Sequence, residues 1–412
     1  MNKNERQAIY NAASNMRRSI LAFGKSICQD MNKVSTRFVG EMLFGMMTAQ
    51  DVKLTKIGAA LGEECPLKST VERLYRNLNV LDSQESMTRN YMGKVMKKCR
   101  ADTLLLVDGG DISKPYGSNF EGLSQIHDGS SGRIEKGLPT VGVIALTDDK
   151  LPLPVYENIF SYEKDFVSVN DETFKALDFV GKYFSKDNIR VFDRGYDSSI
   201  INNKLLESGV KFIVRMTEKR NVIHNGRTQN ILDVAKKFKG KYRLDFENQK
   251  GQNLECKVWI TPIILDGAEL NLVICNGFGQ KPMMLLTNVF GDDNAICTSI
   301  VKCYLLRWKI EEFYRFKKQT FNFEDIRVMS LKSMNNLNLL LNLLIGFLSM
   351  KSTDKADKPI IIELINQVKR IFHAKNVLYA VCAGILSVFA ISNLSLSYNP
   401  PQPANLLQLS LF

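Results

Sequence analysis

From Thr103 onward the chain alternates short apolar runs with polar breaks in an order that leaves few folds open. Thr103–Val107 is a continuous apolar run closed by Asp108, the pattern of a strand buried on both faces. Leu138–Leu146 and Leu151–Phe160 read as two further strands that turn at Asp148-Asp149-Lys150. Asp171–Phe184 is amphipathic and helical, and Ile189–Phe192 is a fourth strand that ends at Asp193. Ser198–Glu207 then reads as a helix and Lys211–Arg215 as a fifth strand. The order β-β-β-α-β-α-β predicts antiparallel strands followed by crossover units, an α/β chain with a mixed sheet and helices on both faces.

Flanking segments divide the chain further. Residues 1–100 read as a helical domain, 101–216 as the first part of the α/β core, and 217–290 as a β-rich insertion punctuated by Gly and Asn. Residues 291–330 return to the core with one long helix, Asp293–Thr320, and 331–412 form a helical C-terminal region. The apolar stretches Leu337–Met350 and Val377–Ile391 are each shorter than the roughly 20 residues a membrane span needs, so buried helices are expected. The tail from Asn399 carries three prolines and is expected to pack loosely.

Of 412 residues, 45% are apolar and 24% charged, enough for a large core in more than one domain. The net charge is +12, and residues 1–100 hold 17 Lys and Arg against 9 Asp and Glu, so +8 of it lies in the first quarter. A basic N-terminal module on a nearly balanced body suits a polyanionic partner. Within it, Leu54–Leu61, a break at Gly62–Pro66 and Lys68–Arg76 have the outline of a helix-turn-helix, whose second helix offers Lys68, Arg73 and Arg76 to DNA. The eight cysteines form no C-x-x-C pair and none has a histidine at ligand spacing, which argues against a thiolate zinc site and for reduced thiols. The N-terminus lacks the apolar run of a signal peptide, and a cytoplasmic protein is expected.

The chemistry gathers around residues 304–318. At 100° and about 1.5 Å per residue, Tyr304, Arg307, Glu311 and Lys318 would share a stripe about 60° wide along roughly 21 Å of one helix. Leu305, Leu306, Trp308, Ile310 and Phe313 fill the rest of its early surface. Such a stripe also suits a solvated face with an Arg307–Glu311 ion pair. The two strand-ending aspartates favour a site. Asp108 and Asp193 on adjacent strands, with Glu311 on a packed helix, would form the acidic cluster that binds Mg²⁺ through carboxylates and substrate phosphate.

At these positions the chain resembles the DDE transposases of bacterial insertion sequences, and specifically the IS-four group with its Y-(2)-R-(3)-E-(6)-K signature. Tyr304, Arg307, Glu311 and Lys318 reproduce every spacing of that signature. Val107–Lys114 is similar to the segment around the family's first aspartate and Phe192–Asp197 to the second, while Phe212–Arg215 and Leu285–Asn288 look like the strands flanking its insertion. The resemblance runs from about residue 103 to 350. It implies an RNase H-like core interrupted by the β-rich insertion, with Asp108, Asp193 and Glu311 catalytic and metal-binding. Two Mg²⁺ ions, replaceable by Mn²⁺, would serve each site. It further implies that Tyr304, Arg307, Lys318 and Arg215 grip DNA, and that a base flips onto an aromatic of the insertion, Trp259 being one candidate. Double-stranded DNA would be the substrate, held by a homodimer at paired ends in the bacterial nucleoid, with no membrane or small-molecule partner. Gly109-Gly110 departs from the bulkier residues usual after the first aspartate, and Asp111 competes for its role. Two other readings share these residues: a DNA-binding repressor from a decayed element, and an RNase H-like nuclease that cuts without joining.

Overall fold

The computed structural model describes residues 3–127, 129, 132–247, 253–368 and 377–392. The proline-containing tail from Asn399 lies outside them. The described residues divide into two compact units. One draws on Met1–Gly93, Asn119–Glu121 and Phe316–Phe412, the other on Lys94–Ser118 and Gly122–Arg315.

The N-terminal part of the first unit consists of α1 (Lys3–Ile27), α2 (Lys33–Ala49), α3 (Leu54–Leu61) and α4 (Leu67–Val80), followed by α5 (Gln84–Val95). Asn32 caps α2 by accepting from the Ser35 amide, and Gly62 ends α3 in the left-handed region at φ 63, which a side chain at this position would resist.

The second unit holds a sheet of twelve strands among the described residues. They are β1 (Leu105–Ser113), β2 (Ser124–His127), β3 (Ile134–Leu146) and β4 (Pro152–Ile159), then β5 (Arg190–Phe192) and β6 (Phe212–Arg215). β7 (Asn221–His224), β8 (Arg227–Asn230), β9 (Tyr242–Glu247), β10 (Asn253–Leu265), β11 (Ala268–Asn276) and β12 (Met283–Thr287) complete it. The helices of this unit are α6 (Val169–Gly181), α7 (Ser199–Glu207), α8 (Ile231–Lys236) and α9 (Asn294–Leu305), with α10 (Trp308–Thr320) starting here. The order is β2-β3-β1-β5-β6-β12-β11-β10-β7-β8, with β4 on β3 and β9 on β10. β1, β5 and β6 run parallel, and every other pairing is antiparallel. The strands of 217–290 therefore extend the core sheet: β12 returns to pair with β6, Leu285 opposite Arg215. β2, β7, β8 and α8 are short and polar enough to escape a reading of apolar runs.

α11 (Leu331–Thr353), α12 (Lys358–Val368) and α13 (Val377–Ser392) belong to the helical unit. At 23 residues α11 is longer than its apolar stretch and, by length and composition, could cross a membrane, but 83% of its most apolar window is buried within the protein. Its asparagines have core partners. Asn336 donates to the carbonyls of Leu78 (2.8 Å) and Leu81 (3.0 Å), and Asn338 accepts from Lys317 at 2.6 Å.

The parallel strands are seated by buried polar groups. Asn188, just before β5, donates one amide to three carbonyls ahead of β1, those of Arg100 (2.9 Å), Ala101 (3.2 Å) and Thr103 (3.0 Å). Asn188→Ala should strip this donor from all three carbonyls, Arg100 keeping the Thr103 amide at 3.1 Å, and cost about 2 kcal/mol, read as a lower urea midpoint. An unchanged midpoint would show that the amide does not hold the β1–β5 register.

Candidate active site

Parallel pairing of β1 with β5 ends at Val107 and Phe192, and the next residues are Asp108 and Asp193. Neighbouring strands lie roughly 4.8 Å apart, so the ladder delivers two carboxylates to one rim. The apolar run predicts that the strand stops at Asp108. It continues to Ser113, because the other edge of β1 stays paired with β3 as far as Ser113–Gly137. Asp108 thus ends only the parallel ladder. Asp111, three residues on, points to the opposite face under strand alternation.

Asp193 opens a short 3₁₀ turn over Arg194–Tyr196, its Oδ1 accepting from the Gly195 amide at 2.5 Å. Asp197 closes that loop: its Oδ2 accepts from the Thr217 amide and hydroxyl, both at 2.7 Å, tying the second aspartate's loop to the first residues of the insertion. Tyr196 is buried beside the rim, and burial with the fields of Asp108 and Asp193 raises its phenol well above the ordinary range.

The single helix expected over Asp293–Thr320 is two helices. At Leu306–Arg307 the backbone tightens to bonds three residues back: Arg307 N to Tyr304 O at 2.9 Å, Lys309 N to Leu306 O at 2.9 Å and Ile310 N to Arg307 O at 3.1 Å. A uniform 100° step does not survive that turn. Tyr304 ends up buried in α9. Arg307 lies in the turn itself, where its Nη1 donates to Asp108 Oδ2 at 3.0 Å and its Nη2 to Glu311 Oε1. One guanidinium therefore bridges the first and third carboxylates. The Arg307 and Asp108 side chains are 15% and 17% exposed, and that of Glu311 46%.

Burial pushes the Asp108 carboxyl up to about 7, opposed by Arg307 and reinforced by the negative fields of Asp193 and Glu311. Burial also works against the Arg307 charge, but Asp108 and Glu311 hold it more firmly protonated than usual.

Tyr314, three residues after Glu311 and so on its side of α10, donates its hydroxyl to the main-chain oxygen of Asp108 at 3.1 Å. Its ring lies against Gly110 and Gly142. Gly142 is directly opposite Asp108 on β3, and Gly110 is two residues further along β1 on the Asp108 face. In the sequence Gly109-Gly110 is only a departure from the family pattern, Asp197 only the end of a matching segment, and Tyr314 and Gly142 carry no assigned role. The available signal was spacing: Tyr314 at i+3 from Glu311 and Gly110 at i+2 from Asp108.

The other predicted residues have surroundings of their own. Lys318, further along α10, belongs to the helical unit and pairs with Glu324 at 2.9 Å. Arg215 lines a cleft of about 690 Å³ with Arg194, Lys219, Lys281 and Phe278. Trp259 stacks on Phe238 with centroids 5.4 Å apart, so one ring face is covered. On α4, Lys68 and Arg76 are exposed, whereas Arg73 turns inward to buried Glu41 and to Glu63 at 2.7 Å. Arg73 thus has acidic partners 32 and 10 residues away in sequence, which no local pattern announces.

Residues 88–346, more than half of the chain, match the family model described as the transposase DDE domain. The chain belongs to this family. It is a DDE transposase, a metal-dependent DNA-cleaving enzyme, and its mixed α/β sheet with helices at both ends is consistent with an RNase H-like transposase fold. The matched span contains Asp108, Asp193 and Glu311 together. No curated protein matches the chain.

The transposase family uses divalent metal, and the donor chemistry here fits a hard cation: Asp108, Asp193 and Glu311 offer oxygen donors, three carboxylates against the one guanidinium of Arg307. Among the described residues no three His, Cys, Asp or Glu side chains already stand at metal-holding spacing, Arg307 being interposed between Asp108 and Glu311.

A stability test follows from Asp108. Its folded pKa of about 7 exceeds the unfolded value of about 3.9, so the folded transposase keeps a proton that the unfolded chain releases. That contribution is complete below about pH 4 and is lost as pH rises through 7. In metal-free buffer Asp108→Asn should therefore be more stable than wild type at pH 8, with the gain shrinking to nothing near pH 4. A pH-independent difference in melting temperature would contradict the assignment.

Proposed function

We propose that this transposase is of the IS-four type and acts on the inverted repeats at the ends of a bacterial insertion sequence. It hydrolyses a phosphodiester there; the freed 3′-hydroxyl attacks the opposite strand and closes a hairpin, a second water opens the hairpin and restores the 3′-hydroxyl, and that end then joins target DNA. The reading rests on one observation: the β1–β5 ladder sets Asp193 beside Asp108, and the guanidinium of Arg307 joins Asp108 to Glu311. Asp108, Asp193 and Glu311 would hold two Mg²⁺ ions, or Mn²⁺ in their place, which when bound would ease formation of the attacking oxyanion and departure of the leaving one.

The protein's own groups supply the positioning. Arg307 has a planar fork that fits a phosphate as well as it fits two carboxylates, so an incoming DNA end can take over its hydrogen bonds. Arg215, in its cleft with Arg194 and Lys219, offers positive charge on the side of Asp193, the residue next to Arg194. Lys318 and the buried Tyr304 complete the signature, and exposed Lys68 and Arg76 give α4 a phosphate-binding face. Arg73 is left out of that face because its charge is spent on Glu41 and Glu63. Two copies would hold two ends, as end-to-end joining requires.

The test is a supercoiled plasmid carrying the DNA that flanks the gene. Wild-type protein with Mg²⁺ should nick at the flanks, leave a 3′-hydroxyl, and join pre-nicked ends to a second plasmid. Asp108→Ala, Asp193→Ala and Glu311→Ala should each abolish cleavage while retaining gel-shift binding of the flanks. Arg307→Ala should weaken that binding and reduce the slope of log affinity against log salt by about 1. Wild-type cleavage by Glu311→Ala would refute the site, and cleavage without joining would favour a plain nuclease.

A further inference from the structure

Resting on the reading of Asp108 and Glu311 as the acidic site, the geometry points to Tyr314 as a positioning residue. Its phenol is seated in a notch of two glycines and sets how far the helix bearing Glu311 stands from the strand bearing Asp108. Three observations carry this. The hydroxyl donates to the Asp108 main-chain oxygen at 3.1 Å, so the helix is tied to the very residue whose side chain faces Glu311 through Arg307. The sheet is cleared for the phenol at Gly142 on β3, and Gly110 on β1 borders the ring. A Cβ on Gly142 would run into the Tyr314 hydroxyl, and one on Gly110 would lie 3.5 Å from the ring carbon bearing it and 2.7 Å from the Thr140 hydroxyl. Finally, Gly142 sits between Asp108 on β1 and Glu157 on β4 in one row across the sheet, so the ring occupies the gap between two carboxylate-bearing positions on the same face.

A residue that only filled space would not need its hydroxyl. Phe would pack the same notch and leave the helix free to slide along it. With the hydroxyl present, strand and helix are pinned at one point about one helical turn from Glu311. Burial and the nearby Glu157 and Asp108 raise the phenol well above its ordinary range, so it serves as a neutral donor throughout the working pH range.

The experiment uses the full chain and two probes, Mn²⁺ binding to DNA-free protein by electron paramagnetic resonance and Mn²⁺-dependent nicking of a supercoiled plasmid. Tyr314→Phe should keep the wild-type melting temperature, bind Mn²⁺ more weakly and nick about 10- to 100-fold more slowly. Gly142→Ala should impair both readouts, and adding Tyr314→Phe to it should restore part of the loss, because the added methyl meets the hydroxyl first. If Tyr314→Phe lowers the melting temperature, that rescue carries the test alone. Wild-type Mn²⁺ binding and nicking in Tyr314→Phe, with Asp108→Asn defective in both, would overturn the positioning role. If Asp108→Asn also matched wild type, the underlying site assignment would fall instead.

Discussion

Gathering several carboxylates at a half-buried rim costs free energy that only positive charge returns, and the parallel ladder between β1 and β5 imposes that cost on this chain. Once Val107 pairs with Phe192, Asp108 and Asp193 become neighbours whatever the rest of the sequence does. The polypeptide answers with Arg307, which reaches Asp108 and Glu311 together. Burial still pushes the Asp108 carboxyl up to about 7, so the compensation is partial.

The tight turn between α9 and α10 is the second determinant. Had the helix run straight, Tyr304 and Glu311 would lie on one face as the spacing implies. The backbone bonds three residues back at Arg307 and Lys309 rotate the two halves relative to each other. Tyr304 is buried in α9, and Arg307 is left in the turn, where its guanidinium reaches both carboxylates. The spacing of these residues therefore records two helices joined by a turn, although it reads as an unbroken helix.

Some of this was legible in advance. Thr103–Val107 and Ile189–Phe192 are too apolar and too short for anything but buried strands, so the aspartates after them were visible, and Glu311 followed from its spacing to Tyr304 and Arg307. The rest depends on contacts that no local pattern encodes. β1 runs on past Asp108 because β3 supports its other edge. Arg73 is drawn to Glu41 and Glu63 instead of outward, and Asp197 looks like one more turn residue until Thr217 is folded back on it. Gly142 weakens β3 on paper, and its purpose appears only when the Tyr314 hydroxyl is placed.

The pairing of β6 with β12 has a consequence for how such enzymes can diversify. The point where the chain leaves the core, Arg215, lies opposite the point where it returns, Leu285, and the next residues bond across the ladder, Met216 N to Met284 O at 2.9 Å. An excursion whose two ends are clasped together can gain or lose strands at its far side without displacing its anchor. Length and surface chemistry of that arm are thereby uncoupled from the spacing of the acids.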